Sequence, residues 1–206
     1  MIGIVDYGMG NLRNVRRACE HTGVRAEVMS DALAIAGAEA LILPGVGSFG
    51  EAVRRIDALG LRAPIRAHVG AGKPLLGICL GMQLLFEESE ESPGAAGLGI
   101  FKGGVKKFRG GVKIPHIGWN DVRPAKGAIL FGEQEKGDVF YFVHSFYAGL
   151  LPETIAVTTY GEEFSAAVRR ENVFGVQFHP EKSQEAGLNL LRRFASWPAT
   201  PGMGIT

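Results

Sequence analysis

The chain has 206 residues, 46% apolar and 21% charged, with a net charge of +1; this suits a globular protein with a sizeable core and leaves no electrostatic footprint for nucleic acid or an anionic membrane. Two cysteines, Cys19 and Cys79, are too few for a disulfide scaffold, and no Cys/His spacing suggests zinc, so neither metal nor cofactor is expected. No run approaches a membrane span, and the opening MIGIVDYGMG lacks the basic start and long apolar stretch of a signal peptide, so a cytoplasmic protein is expected.

In chain order, Ile2–Val5 reads as a buried strand and residues 7–10 as a turn. A helix follows, capped by Asn11 and stopped at Gly23, with Leu12, Val15, Ala18 and Cys19 on one stripe. Residues 41–43 form a second strand, ending in Pro44, Gly45, Val46 and Gly47. Ser48 and Glu51 predict a capping box for a helix to about Leu59, ended by Gly60. Residues 74–78 are a third strand and 82–88 a third helix. Strand-like runs then dominate, at 105–108, 139–143, 154–159, 166–169 and 173–178, with Glu171 and Asn172 as a tight hairpin turn between the last two. A final helix over 183–196 buries Leu188, Leu190, Leu191 and Phe194; Pro198 stops it, and 200–206 are expected to fray. With neither repeat nor linker, the expectation is one α/β domain over 1–206, a mostly parallel mixed sheet with helices on both faces.

Cys79 sits in Gly77-Ile78-Cys79-Leu80-Gly81, between a strand and a helix. This is a nucleophile elbow with cysteine in place of serine: the glycines permit a sharp turn that exposes the middle side chain, and the following helix N-terminus lowers the thiol pKa. A buried cysteine acting as a small hydrophobe is the plainer alternative, and is the reading for Cys19 on its helical stripe. His179 and Glu181 are two apart on an extended segment and share a face, so the carboxylate can orient the imidazole that serves the thiol. A simple turn is the alternative there. Strand ends at Asp6, Pro44 and Ile78 should converge on one crevice.

The elbow GICLGMQ and the downstream VQFHPEKS resemble those of the class I, triad-type glutamine amidotransferases. With DYGMGNL, LPGVGSFG, PHIGWN and FYFVHSFY, the likeness extends over essentially the whole chain to the glutaminase subunits of imidazole glycerol phosphate synthases. The resemblance implies a flavodoxin-like amidotransferase domain in which Cys79, His179 and Glu181 hydrolyse glutamine through a thioester. It implies an oxyanion hole from the backbone N–H of Leu80 and of Val46 or Gly47, and substrate contacts from Gln83 and Gly45. An ordinary strand-exit turn at 44–47 and a solvated helix position for Gln83 stay open as alternatives. It further implies a (β/α)8-barrel cyclase partner that receives the ammonia, with Asn11, Trp119, His144 and Lys182 facing it, and Ser145 and the 115–120 loop near it. An amidotransferase subunit of another synthase, such as pyridoxal phosphate synthase, is the nearest alternative; a cysteine peptidase and a non-catalytic subunit are more distant ones.

Overall fold

The computed structural model describes residues 1–132 and 137–198; the fraying expected at 200–206 lies outside them. In chain order the elements are β1 (Ile2–Val5), α1 (Leu12–His21), β2 (Ala26–Met29), α2 (Ala32–Gly37), β3 (Ala40–Leu43), α3 (Phe49–Ala58), α4 (Arg62–Gly70), β4 (Leu75–Ile78) and α5 (Leu80–Gln83). There follow β5 (Phe86–Ser89), β6 (Phe101–Lys107), β7 (His116–Pro124), β8 (Asp138–His144), β9 (Phe146–Ala148), β10 (Thr154–Tyr160), β11 (Glu162–Arg170), β12 (Val173–Val176) and α6 (Gln184–Ala195).

The main sheet runs β2-β1-β3-β4-β12-β11-β10-β7-β8, and β5-β6-β9 form a second, smaller sheet. From β2 to β12 all neighbours are parallel; from β12 to β8 all are antiparallel. Alternate residues of the parallel strands enter two separate cores. Ile4, Ile42 and Ile78 pack under α1 and α6, against Val15, Cys19, Leu190 and Phe194. Val5, Leu41, Leu43 and Leu75 pack on the other face against Ile35, Val53, Ile56 and Ile65 of α2, α3 and α4. Burial on both faces is why these strands read as unbroken apolar runs, each large side chain contributing roughly 1.5–3 kcal/mol. The hairpin at Glu171 and Asn172 is present, with Arg170 opposite Val173 and Glu171 at φ 52°.

Several local expectations fail. The helix over 82–88 does not form: α5 is a single turn, and Phe86 begins a strand paired with Phe101. Met82, Leu84, Leu85 and Phe86 are all buried, so the run carried no period to separate helix from strand. The carbonyls of Leu84 and Leu85 instead accept from Leu98 and Ile100 at 2.7 and 2.8 Å, which draws them out of a helical ladder. Ser48 and Asn11 occupy N-cap positions, but neither side chain makes a capping bond. Helix α3 is capped from a distant segment: Phe49 N–H donates to Glu91 Oε2 at 2.6 Å and Gly50 N–H to Ser92 Oγ at 3.0 Å. Glu51 turns to Arg55 instead, at 2.8 Å. Residues 116–120 are the start of a long strand, antiparallel to β8, and not a loop.

Candidate active site

Cys79 directly follows β4, where its N–H donates to Val176 O of β12 at 2.8 Å. Its backbone lies at φ 54° and ψ −111°, a region costing a non-glycine residue about 1–3 kcal/mol. The flanking glycines let the chain accept that strain. A Cβ on Gly77 would stand 2.6 Å from Gly81 O, and one on Gly81 would overlap the Leu43 carbonyl oxygen. Contrary to expectation the side chain is little exposed, at 6%, and opens only into a cleft of about 330 Å³. Val46, Gly47, Gln83, His144, Phe146 and His179 are among the residues lining it. Helix α5 is too short for a macrodipole; what it offers at the sulfur is the unpaired N–H groups of its first turn.

His179 reaches the same cleft from beyond β12. Its N–H donates to Tyr141 O at 2.9 Å, and its carbonyl accepts from Ser183 Oγ at 2.6 Å. Its Nδ1 meets Glu181 Oε1 at 2.9 Å, with the two side chains 2% and 1% exposed. The pair does not meet along an extended segment as expected: Glu181 sits on a 3-10 turn, Pro180–Lys182, which folds the carboxylate back under the ring. With Nδ1 donating to the carboxylate, Nε2 is left without a hydrogen-bond partner among the described residues. Burial opposes charge on this imidazole, but the negative charge of Cys79, followed by that of Glu181, outweighs it and pushes the pKa up to about 10. An imidazolium is the state this environment favours at His179. Burial first, then the charge at Cys79, raises the Tyr7 pKa and keeps it a neutral phenol.

The segment before α3 packs onto the elbow. Tyr7 OH donates to Pro44 O at 2.8 Å, and a Cβ on Gly45 would lie 2.7 Å from Gly81 N. Gly45 is therefore buried against the elbow and does not line the cleft; Val46 and Gly47, with Gly47 at φ 97°, do. Gln83 lines the cleft, but its Nε2 is engaged by Phe146 O at 2.9 Å and Gln177 Oε1 at 3.0 Å. Sequence reasoning missed Gln177, whose Nε2 stands 3.6 Å from Cys79 Sγ, and Glu91, on the cleft wall. A polar residue in the otherwise apolar run before His179 was the available signal for Gln177.

Of the residues expected to face a partner, His144 does not reach the surface. It is 6% exposed, with Nδ1 on Phe146 O at 2.8 Å and Nε2 facing His116 Nδ1 at 3.0 Å. Burial pushes these imidazoles down, His144 to about 3 and His116 to about 4, so both are neutral. Trp119 is half-exposed on β7, edge-on to Tyr141 at 6.0 Å, and Lys182 Nζ stands 5.5 Å over the Tyr141 ring. Asn11 is half-buried at the start of α1, which lies against the Pro180–Lys182 turn. Among the described residues no cluster of three His, Cys, Asp or Glu could hold a metal ion, and no helix is long and apolar enough to cross a membrane. A cysteine sulfur and an imidazolium lining one cleft, with a buried carboxylate behind the ring, are the parts of a covalent acyl-transfer site.

The family model for glutamine amidotransferase class-I matches residues 3–196. The chain is 52% identical over 202 residues to the imidazole glycerol phosphate synthase subunit HisH of Thermococcus kodakarensis, covering 94% of this chain and 98% of that protein. It is 50% identical over 196 residues to the HisH subunit of Caldanaerobacter subterraneus subsp. tengcongensis, covering 94% and 97%. A solved glutamine amidotransferase superposes with a TM-score of 0.76 at 22% identity, over 95% of this chain and 99% of that one, and the PurLQS structure from Thermotoga maritima matches with 0.72 at 21%, over 94% and 96%, both likenesses of fold.

Proposed function

The chain belongs to the class-I glutamine amidotransferase family, and from that premise we propose that it is one amidotransferase domain, the glutaminase subunit of an imidazole glycerol phosphate synthase. The observation that carries the chemistry is the meeting of Cys79 and His179 in one cleft, with Glu181 held behind the His179 ring. Cys79 thiolate attacks the side-chain amide carbon of glutamine, forming a C–S bond and a tetrahedral oxyanion. The N–H of Leu80 and that of Val46 or Gly47 stabilise that oxyanion, each such donor being worth ~3 kcal/mol. His179 then gives its proton to the departing nitrogen, the C–N bond breaks, and ammonia and a γ-glutamyl thioester remain. His179, now neutral, takes a proton from water; the hydroxide attacks the thioester, and the C–S bond breaks to release glutamate and restore the thiolate–imidazolium pair. Glu181 fixes the ring so that Nε2 faces the reacting atoms throughout. Gln83, with its oxygen free of the bonds its amide nitrogen makes, binds the amino-acid end of the substrate.

Ammonia released into water protonates and loses its nucleophilicity, so a partner must take it up. The partner in this reading is a (β/α)8-barrel cyclase, which uses the ammonia to form imidazole glycerol phosphate and an aminoimidazole carboxamide ribonucleotide. The outer face of β7 and β8 supports a docking surface: Ile117, Trp119 and Val139 are 58%, 48% and 48% exposed. Across the strands, Ile117 pairs with Val143, a cleft residue, which connects this face to the active site. Glutamate release by the isolated chain should be weak and should rise at least tenfold with cyclase and its ribonucleotide substrate. High turnover that ignores the partner would remove the coupling. Diazo-oxo-norleucine should modify Cys79 and spare Cys19, which is 1% exposed and whose thiol burial pushes up to about 12.

A further inference from the structure

Gln177 follows the last residue of β12 and is fully buried. A buried primary amide needs partners at both ends. Its Oε1 accepts from Gln83 Nε2 at 3.0 Å, and its Nε2 lies 3.6 Å from Cys79 Sγ. A third contact fixes which end is which. Gln83 Nε2 also donates to Phe146 O at 2.9 Å, and that carbonyl is held in turn by His144 Nδ1 at 2.8 Å. Turning Gln83 over would oppose its oxygen to the Phe146 carbonyl, and turning Gln177 over would set two NH2 groups together. The Gln177 amide N–H is thereby aimed at the sulfur.

We propose that Gln177 is a fourth functional side chain of the site, donating a hydrogen bond to Cys79 Sγ that favours the thiolate and holds it in place. The inference rests on Cys79 being the nucleophile. A thiolate accepts more strongly than a thiol, so the donor stabilises the charged form selectively. The bond also draws charge from sulfur, so the same contact that raises the thiolate population lowers its intrinsic nucleophilicity. Gln83, through its bond to Gln177, braces the nucleophile as well as lining the cleft. The titratable groups around the sulfur are His179 beyond β12, Tyr7 after β1, His144 of β8 and Glu91 on the wall, with Glu181 behind His179. All are untouched by a change at 177, so a difference between variants reports the amide.

The test is the pH dependence of Cys79 alkylation by iodoacetamide in the full chain, followed by peptide mass spectrometry. In Gln177→Met the midpoint should rise by about one pH unit, as expected for loss of one hydrogen bond to a charged group. Above the midpoint the plateau rate should rise about threefold, because a more basic thiolate is the better nucleophile. A merely structural role would not produce both changes in those directions. Gln177→Glu keeps an oxygen for Gln83 and sets its other oxygen against the sulfur; it should move the midpoint further up, and it decides the matter if the methionine variant does not fold. A folded variant whose midpoint stays within about 0.2 units of the parent's overturns the proposal. A parent Cys79 silent at every pH would overturn the nucleophile itself, and this inference with it.

Discussion

Replacing Glu181 by glutamine tests the triad with little change of shape. In the native site Glu181 Oε1 meets His179 Nδ1 at 2.9 Å, and Oε2 has no hydrogen-bond partner among the described residues, whose side-chain bonding to this carboxylate comes from that one ring. The amide can still present an oxygen to Nδ1, and what is lost is the charge. A hydrogen bond to a charged group contributes about 1.5–3 kcal/mol, so if that amount is lost from the transition state, kcat should fall roughly 10- to 150-fold. The pH profile supplies an independent readout. In the proposed mechanism protonated His179 is the acid for ammonia departure, so activity should be lost as pH rises through its pKa, near 10 in the native site. Glu181 is one of the charges raising that value, and removing it should move the alkaline limb to lower pH. Glutamate release at saturating glutamine, with partner and ribonucleotide present, measures both. A variant retaining kcat within about twofold, with its alkaline limb unmoved, would refute the role given to the carboxylate.

Gly81→Ala places a Cβ onto the Leu43 carbonyl oxygen, a β3 backbone atom with no room to retreat, and should lower stability in urea titration by ~3 kcal/mol or lose the fold; Gly37→Ala, with open space around it and no positive φ, should cost far less. The buried imidazoles of His68, His116 and His144 have folded pKa values pushed down by burial to about 4, 4 and 3, below an unfolded value of ~6.5. Unfolding therefore takes up protons below pH 6.5. The unfolding free energy should fall by roughly 1 kcal/mol per histidine per pH unit between pH 6.5 and 5, and a flat profile would contradict their neutrality. His179 does not offset this fall, because its raised pKa contributes fully below pH 6.5 and is lost only as pH climbs toward 10. Trp119→Ala should leave the melting temperature within about 4 °C and weaken cyclase binding at least ~30-fold, as calorimetry and titration would report.

Strands β1, β3, β4 and β12 and the residues brought together at the elbow, Cys79 with His179 and Glu181, were legible because they rest on local rules; β2, whose two middle residues are exposed, gives no such apolar run. Unbroken apolar runs such as 41–43 are what a strand buried on both faces requires, and the glycines beside Cys79 are what its strained turn requires. Where the run from Met82 to Phe86 was buried throughout, the polar Gln83 included, periodicity had nothing to report, and distant carbonyl acceptance decided between helix and strand. The cap of α3 was misassigned for a related reason. Ser48 and Glu51 have the right spacing, but Glu91 and Ser92 arrive from over forty residues away and take the donors.

The same division runs through the site itself. Residue types and short-range spacing determined that a cysteine elbow and a His-Pro-Glu segment exist, because strand-to-helix turns and adjacent side chains are local geometry. Only the folded chain decided that Glu181 reaches His179 through a turn, that His144 lies inside with His116, and that Gln177 points at the sulfur. Those relations depend on which strands lie side by side: β12 joins β4, bringing residues nearly a hundred positions apart into register, as Ile78 opposite Val176. Pairing of that range is set by the shared burial of two cores, a property of the whole molecule that no single stretch of sequence contains.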